Sequence, residues 1–234
     1  MNTSVQIIPV ASLAMAFIPV FVVIGILYKW SLKSHVALYA CVRMLIQLIL
    51  IGYVLTFIFE SDVAWIVIAV LSVMLFASSW IAMNPLQHRQ KNLYWKILVS
   101  IALGGIVTLI LITQIVLDLP VWYSPYMVIP LAGMIFSNSM TTISLAAERL
   151  ESELANGKSY DQARTIALNA AMIPVINSFF AVGLVALPGM MTGQILSGVS
   201  PLIAVRYQIM VMCMIFGSAG ISAACYLVLA KKQL

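Results

Sequence analysis

Apolar runs long enough to cross a bilayer occupy most of this chain of 234 residues. A spanning helix needs about 20 mainly apolar residues, because the hydrocarbon core is about 30 Å thick and a helix rises about 1.5 Å per residue. Only 8% of the residues are charged, against about a quarter in soluble domains. The sequence therefore predicts a single all-α integral membrane domain over residues 1–234. The seven predicted spans are Val5–Tyr28, Val36–Phe59, Val63–Met83, Ile97–Leu117, Tyr126–Ala147, Thr165–Leu187 and Pro201–Ala230.

Charged residues in the connections predict how the chain is oriented. Basic residues such as Lys33, Arg89 and Lys231 lie in alternate connections and at the C-terminus, whereas Glu60 and Asp118 lie in the connections between them. Lys and Arg are enriched in cytoplasmic loops. The pattern therefore predicts a multi-pass membrane protein with the N-terminus outside and the C-terminus in the cytoplasm, and seven crossings agree with that orientation.

Composition and motifs exclude several function classes. The net charge of +5 is spread over short loops, and there is no soluble segment to bind nucleic acid. The sequence has no Walker-type glycine loop for ATP and no HExxH or Gly-x-Ser-x-Gly motif of a hydrolase. Cys41, Cys213 and Cys225 lie inside apolar runs without metal-type spacing, so we expect them to be core thiols. No carboxylate lies within a predicted span, which argues against a proton-coupled carrier.

The stretch Val182–Pro201 is apolar enough for a bilayer but is interrupted by Pro188 and four glycines. Backbone that leaves the helix at membrane depth is tolerated only where it is buried in protein or lines a wet cavity. The sequence therefore predicts a broken segment before the last helix that forms part of a pathway or gate. The glycines are Gly183, Gly189, Gly193 and Gly198.

The second and fifth predicted spans contain polar side chains. Arg43 and Gln47 are one helical turn apart in the second span; Arg43 either snorkels to the interface or faces a pathway, because a cation in hydrocarbon is costly. In the fifth span Met134, Asn138 and Thr142 share one helical face. Such a face indicates either close helix packing or a polar lining.

Sulfur and amide groups in the last part of the chain are further candidates. Asn177 lies close to Pro174, which frees a backbone carbonyl that Asn177 could satisfy unless it faces a substrate. Met190 and Met191 lie in the broken segment, and Met210 begins a methionine stripe in the last span. Thioethers suit Cu(I) better than iron or zinc, but most methionines in spans serve packing. The residues alone therefore leave a metal site undetermined.

The connection Glu148–Arg164 is the one long segment of mixed charge on the predicted cytoplasmic side. Its first part reads as a helical extension of the fifth span, Asn156 and Gly157 predict a turn, and Ser159 with Gln162 predicts the cap of the next helix. The segment is either a solvated link or a docking surface for a cytoplasmic partner.

Three stretches carry a family resemblance that covers almost the whole chain. They are residues 43–55, with RMLIQL and GYVL; residues 129–140, IPLAGMIFSNSM; and residues 182–209, with the specific run LPGMMTG. They resemble the FetB-type permeases of ABC iron exporters, a family that includes plant aluminium-tolerance permeases. The chain departs from the family at Ser137, where glycine is usual, and in residues 148–164, which are shorter and carry a weaker version of the family's coupling sequence.

The resemblance implies the permease subunit of an ATP-binding-cassette exporter in the plasma (inner) membrane, which moves a metal ion such as iron out of the cytoplasm. Two permease chains would pair with two ATPase subunits, which bind the ATP, and this chain would bind no cofactor. The shortened loop keeps two alternatives open: an ATP-independent channel or carrier, and a membrane scaffold for a soluble partner. The predicted pathway or gate residues are Arg43, Gln47, Met134, Asn138, Asn177, Pro188, Gly189, Met190, Met191, Gly193, Gln194 and Gln208. The predicted ATPase-coupling residues are Glu148, Glu151, Glu153, Gly157, Asp161 and Gln162.

Overall fold

The computed structural model of the chain describes residues 8–59, 63–86 and 91–231. Seven helical stretches of this part are long and apolar enough to cross a membrane, which confirms the predicted all-α membrane architecture. The helices form two compact units, Met1–Ser61 and Asp62–Leu234. They are α1 (Val10–Met15), α2 (Ile18–Lys29), α3 (Ser34–Phe59), α4 (Ala64–Ala82), α5 (Lys91–Ile110), α6 (Pro125–Ala155), α7 (Tyr160–Ala181), α8 (Gly189–Leu196) and α9 (Pro201–Ala230).

The N-terminal unit contains α1, α2 and α3. The first predicted span is divided, because α1 ends at Met15 and α2 begins at Ile18; its residues 5–7 lie outside the described residues. Pro19 is in the first turn of α2, where a missing backbone N–H removes no helical hydrogen bond. Helix α3 packs against α2 and carries Arg43 and Gln47.

The C-terminal unit is held together by close contacts between small residues. Gly104 of α5 lies against α9 so closely that a Cβ there would stand 2.3 Å from the Ser222 hydroxyl oxygen. The hydroxyl of Ser222 donates in turn to that of Ser139 on α6 at 3.2 Å. Ser144 of α6 donates to the carbonyl of Ala82 on α4 at 2.9 Å. Small residues and cross-helix hydroxyls are the usual means of packing helices in lipid, where apolar burial alone gives little driving force.

Helix α5 continues into a π-helical stretch, Leu111–Val116. The N–H of Leu117 donates to the carbonyl of Ile112 at 2.9 Å, and the hydroxyl of Thr113 donates to the carbonyl of Leu109 at 2.9 Å. The predicted span Ile97–Leu117 therefore ends where expected, but in a widened helix. Hydropathy does not distinguish the two helix types, and π-turns often mark functional positions.

Helix α6 is too long for the bilayer alone. Its 31 residues extend about 46 Å at about 1.5 Å per residue, whereas the hydrocarbon core is about 30 Å thick. The excess carries the charged residues after Ala147, as the sequence predicted. Helix α6 then ends at Ala155, and α7 begins at Tyr160 after the predicted turn.

The predicted break before the last helix is confirmed, but its limits differ from the prediction. Helix α7 ends at Ala181, earlier than the predicted Leu187, because Gly183 takes a positive φ of 82° that ends the helical path. The chain then forms the short helix α8, which the sequence did not predict, and turns at Gly198 (φ 88°) into α9. We call residues 182–200 the broken segment.

The prediction that all three cysteines are core thiols is wrong for Cys213, which is exposed. It lies on α9 at the level of the broken segment, where a cavity replaces packed side chains. Cys41 and Cys225 are half-buried.

Candidate translocation site and charged hairpin

A small cavity of about 40 Å³ lies between α6, α8 and α9. Four of its lining side chains are methionines, contributed by all three helices. We call it the methionine cavity. The residues that line it are Leu117, Tyr126, Met127, Pro130, Leu131, Met134, Met190, Tyr207 and Met210.

A larger cavity of about 370 Å³ lies between the broken segment and α9, and we call it the amide cavity. Gln208 is the amide that lines it. This side chain is only 6% exposed, and its Oε1 has no hydrogen-bond partner among the described residues. An unpaired buried acceptor is costly, which makes it a candidate contact for a ligand. The lining residues are Phe179, Val182, Gly183, Leu187, Met191, Val205, Gln208, Ile209, Met212 and Cys213.

The predicted gate residues on and next to α8 have different surroundings. Met190 lines the methionine cavity, and the next residue, Met191, lines the amide cavity. The Oε1 of Gln194 is buried and, like that of Gln208, has no partner in the described part of the chain. Pro188 precedes α8, and its carbonyl accepts the N–H of Thr192 at 3.0 Å. Gly189 and Gly193 are exposed and line neither cavity.

The polar side chains predicted on one face of the fifth span form hydrogen bonds within their own helix, α6. The Nδ2 of Asn138 donates to the carbonyl of Met134 at 2.8 Å, and the hydroxyl of Thr142 donates to the carbonyl of Asn138 at 2.9 Å. These bonds satisfy polar groups within α6, as a packing role requires. Asn177 is exposed on α7, which remains helical through Pro174.

The other predicted pathway residues belong to the N-terminal unit. Arg43 is half-buried and Gln47 is exposed on α3. Gln47 borders a shallow cavity of about 420 Å³ whose remaining walls are apolar residues of the same helix. A pathway role for these two side chains stays a prediction.

The segment Glu148–Arg164, here called the charged hairpin, has a fixed internal structure. The carboxylate of Glu153 is 4% exposed and binds two cations: Oε1 lies 2.6 Å from Arg149 Nη2, and Oε2 lies 2.6 Å from Lys158 Nζ. The turn residue Gly157 has a positive φ of 80°, and the Oε1 of Gln162 accepts the N–H of Ser159 at 3.4 Å. The predicted turn and cap are therefore present.

The predicted coupling residues differ in how far they are exposed to a partner. Because the Glu153 carboxylate is buried in its ion pairs with Arg149 and Lys158, it offers little surface for a partner to contact. Glu148, Gly157, Asp161 and Gln162 are exposed, and Glu151 is half-buried.

The charged hairpin is attached to the far end of α9. The hydroxyl of Tyr160 donates to the carbonyl of Leu227, and Lys231 Nζ lies 3.5 Å from Asp161 Oδ1. The same ammonium lies 5.8 Å from the centroid of the Tyr160 ring. Helix α9 thus contacts the hairpin near its C-terminus and lines both cavities near its N-terminus. The sequence offered no signal for this attachment, which joins residues 67 positions apart.

The model of an uncharacterised protein family, UPF0014, matches residues 10–234. The chain belongs to this family. A UPF0014 membrane protein of Synechocystis sp. is 38% identical over 76% of this chain and 74% of its own. The Escherichia coli protein named probable iron export permease protein FetB is 34% identical over 94% of this chain and 90% of its own. The UPF0014 membrane protein STAR2 of Oryza sativa is 34% identical over 92% and 78%.

Membership in the UPF0014 family confirms the resemblance read from the sequence motifs, and the chain is a multi-pass membrane permease. No solved structure matches the chain. Among the described residues no group of three or more His, Cys, Asp or Glu side chains could hold a metal ion. The methionine cavity and the amide cavity place sulfur and amide groups inside the C-terminal unit.

Proposed function

We propose that this chain is the permease subunit of an ATP-driven exporter that moves a metal ion, iron, out of the cytoplasm across the plasma (inner) membrane. Two copies would assemble with two separate ATPase subunits, which bind the ATP. The E. coli relative is named a probable iron export permease, and this chain has no nucleotide-binding motif of its own.

The observation that carries the proposal is the connection between the charged hairpin and the two cavities through α9. Tyr160 and Asp161 of the hairpin contact the last turns of α9, while Met210 and Gln208 of the same helix line the cavities. A force on the hairpin would move α9 as a rod, because helices are stiff and packed interfaces shift between discrete arrangements. ATP-driven movement of the hairpin would thus reach the broken segment, the proposed gate.

The ATPase would contact the exposed carboxylates of the hairpin. Glu148 and Asp161 are exposed, and the Asp161 side chain is 64% exposed even though Arg164 and Lys231 each lie 3.5 Å away. Glu153 would act differently, by holding Arg149 and Lys158 in place and so keeping the hairpin stiff.

Co-purification with a candidate ATPase tests the proposal. We expect the wild-type chain to retain the ATPase in mild detergent and the double variant Glu148→Lys/Asp161→Lys to lose at least nine-tenths of it, because two surface contacts change sign. Asp118→Lys makes one acid-to-lysine change of the same type in the connection before α6 and should retain the ATPase.

A wild-type chain that purifies without any ATPase would contradict the proposal. It would favour the ATP-independent channel or carrier, which the short hairpin makes the second candidate. Equal loss of the ATPase in Asp118→Lys would mean that the hairpin is not the contact.

A further inference from the structure

The methionine cavity brings together four thioethers that are far apart in the sequence. Met127 and Met134 come from α6, Met190 from α8 and Met210 from α9. All four side chains are half-buried. Their convergence depends on the packing of three helices, so it is a tertiary feature and not a run of apolar sequence.

The size of the methionine cavity suits one ion. Its volume is about 40 Å³, and a void needs roughly 10–15 Å³ to hold one water-sized particle. The amide cavity, at about 370 Å³, is too large for its sulfurs to enclose a single atom. The smaller cavity is therefore the better candidate for coordination of a bare metal ion.

The donor set selects the chemistry of that ion. Thioether sulfur is a neutral, soft ligand that suits Cu(I), whereas carboxylates, carbonyls and water suit Mg²⁺, Ca²⁺ and Mn²⁺. Among the described residues that line the cavity none is acidic and none is histidine. A monovalent ion also suits neutral ligands, because the cost of taking charge out of water rises with the charge.

Gln194 places a buried acceptor on α8 close to Met190, although it does not itself line the methionine cavity. It follows Met190 by four residues and therefore shares its helical face. Its Oε1 is buried and has no partner among the described residues. A cation near Met190 would give this acceptor a favourable electrostatic partner.

Other methionines of the C-terminal unit show what simple packing looks like. Met172 of α7 is buried in an apolar cluster with Val175 and Ala219, and its methyl carbon would lie 3.6 Å from a Cβ at Gly220. It lines neither cavity. Met172 is thus a matched control, a methionine of the same unit with an ordinary core role.

We propose that the methionine cavity binds a soft monovalent metal ion, Cu(I) or its analogue Ag(I), through the thioethers of Met127, Met134, Met190 and Met210. This site goes beyond the proposed iron export. It requires neither an ATPase nor transport, and its occupancy is a property of the permease chain alone.

Cu(I) binding to the purified full-length chain tests this inference. Under reducing conditions in detergent, a colorimetric Cu(I) chelator competes for the metal. We expect the wild type to retain one equivalent of Cu(I). The double variant Met134→Leu/Met190→Leu should bind Cu(I) with an affinity at least tenfold lower. Leucine conserves volume and removes only the sulfur. Met172→Leu should bind like the wild type.

X-ray absorption at the copper edge identifies the ligands. We expect a sulfur-only first shell in the wild type and in Met172→Leu. Equal Cu(I) retention by the double variant, or a first shell of nitrogen and oxygen, would overturn the inference. If the double variant elutes as an aggregate, Met210→Leu replaces it, with the same tenfold weakening expected.

The test is separate from that of the exporter. Cu(I) binding is measured without an ATPase, so its absence would leave the ATPase co-purification result unaffected. A chain that binds Cu(I) but retains no ATPase would keep this site and remove the proposed exporter.

Discussion

The crossing of α5 with α9 and the broken segment are both rich in small residues, but they use them for different purposes. At the crossing, a Cβ on Gly104 would meet Ser222 Oγ at 2.3 Å. In the broken segment, apart from the adjoining backbone, no described atom lies within 4 Å of a Cβ built at Gly189 or Gly193. Gly198 instead holds a positive φ of 88°. Glycine permits contact in the first region and permits backbone conformations in the second.

This difference indicates that the crossing of α5 with α9 is rigid and that the broken segment can move. A crossing fixed by backbone contact and by the Ser222–Ser139 hydrogen bond resists local opening, since it has many buried contacts. The broken segment has two positive-φ turns, a helix of 8 residues and a buried unpaired amide at Gln194. Elements that move during function come from such regions of low local stability.

The largest effect on stability is expected at the crossing. In Gly104→Ala the new methyl group would also meet the backbone nitrogen of Ser222 at 2.8 Å, so the helices must separate, at a cost of about 1–3 kcal/mol. The melting midpoint in detergent should fall. Gly217→Ala on α9 is the control, because no described atom lies within 4 Å of its added Cβ. Equal midpoints for the two variants would contradict a close-packed frame.

Much of this architecture follows from local sequence signals. The spans were predicted because hydropathy and length are properties of one contiguous run. The hairpin turn at Gly157 and its cap at Ser159 were predicted because turn and capping preferences act over three or four residues. Glycine and proline likewise predicted that the chain breaks near Pro188.

What the sequence could not predict depends on tertiary packing. The sequence did not predict the early end of α7 at Ala181 or the short helix α8. The contact between Tyr160 and Leu227, and the convergence of Met127 with Met210, join distant residues without a local pattern. For the same reason the roles of Arg43 and of the other predicted pathway residues stay predictions.

The turn into α9 should give an intermediate effect. Gly198→Ala keeps the turn only by placing a Cβ in the left-handed region, which costs about 1–2 kcal/mol. Its melting midpoint should fall by less than that of Gly104→Ala. The comparison variant is Gly189→Ala, since Gly189 begins α8 without a positive φ. If both substitutions leave the melting midpoint unchanged, the turn at Gly198 does not require glycine, which would contradict this prediction.

The smallest effect on stability, with an opposite effect on transport, is expected at Gly193. This residue lies inside α8 with open space around it, so alanine should stabilise the helix by about 0.5–1 kcal/mol. A stiffer α8 would resist the backbone change of the proposed gate, and metal export by reconstituted permease and ATPase should slow several-fold. Gly217→Ala makes the same substitution in the packed helix α9 and should export normally. Unchanged export by Gly193→Ala would show that α8 moves as a rigid piece, with the bending confined to the turns at Gly183 and Gly198.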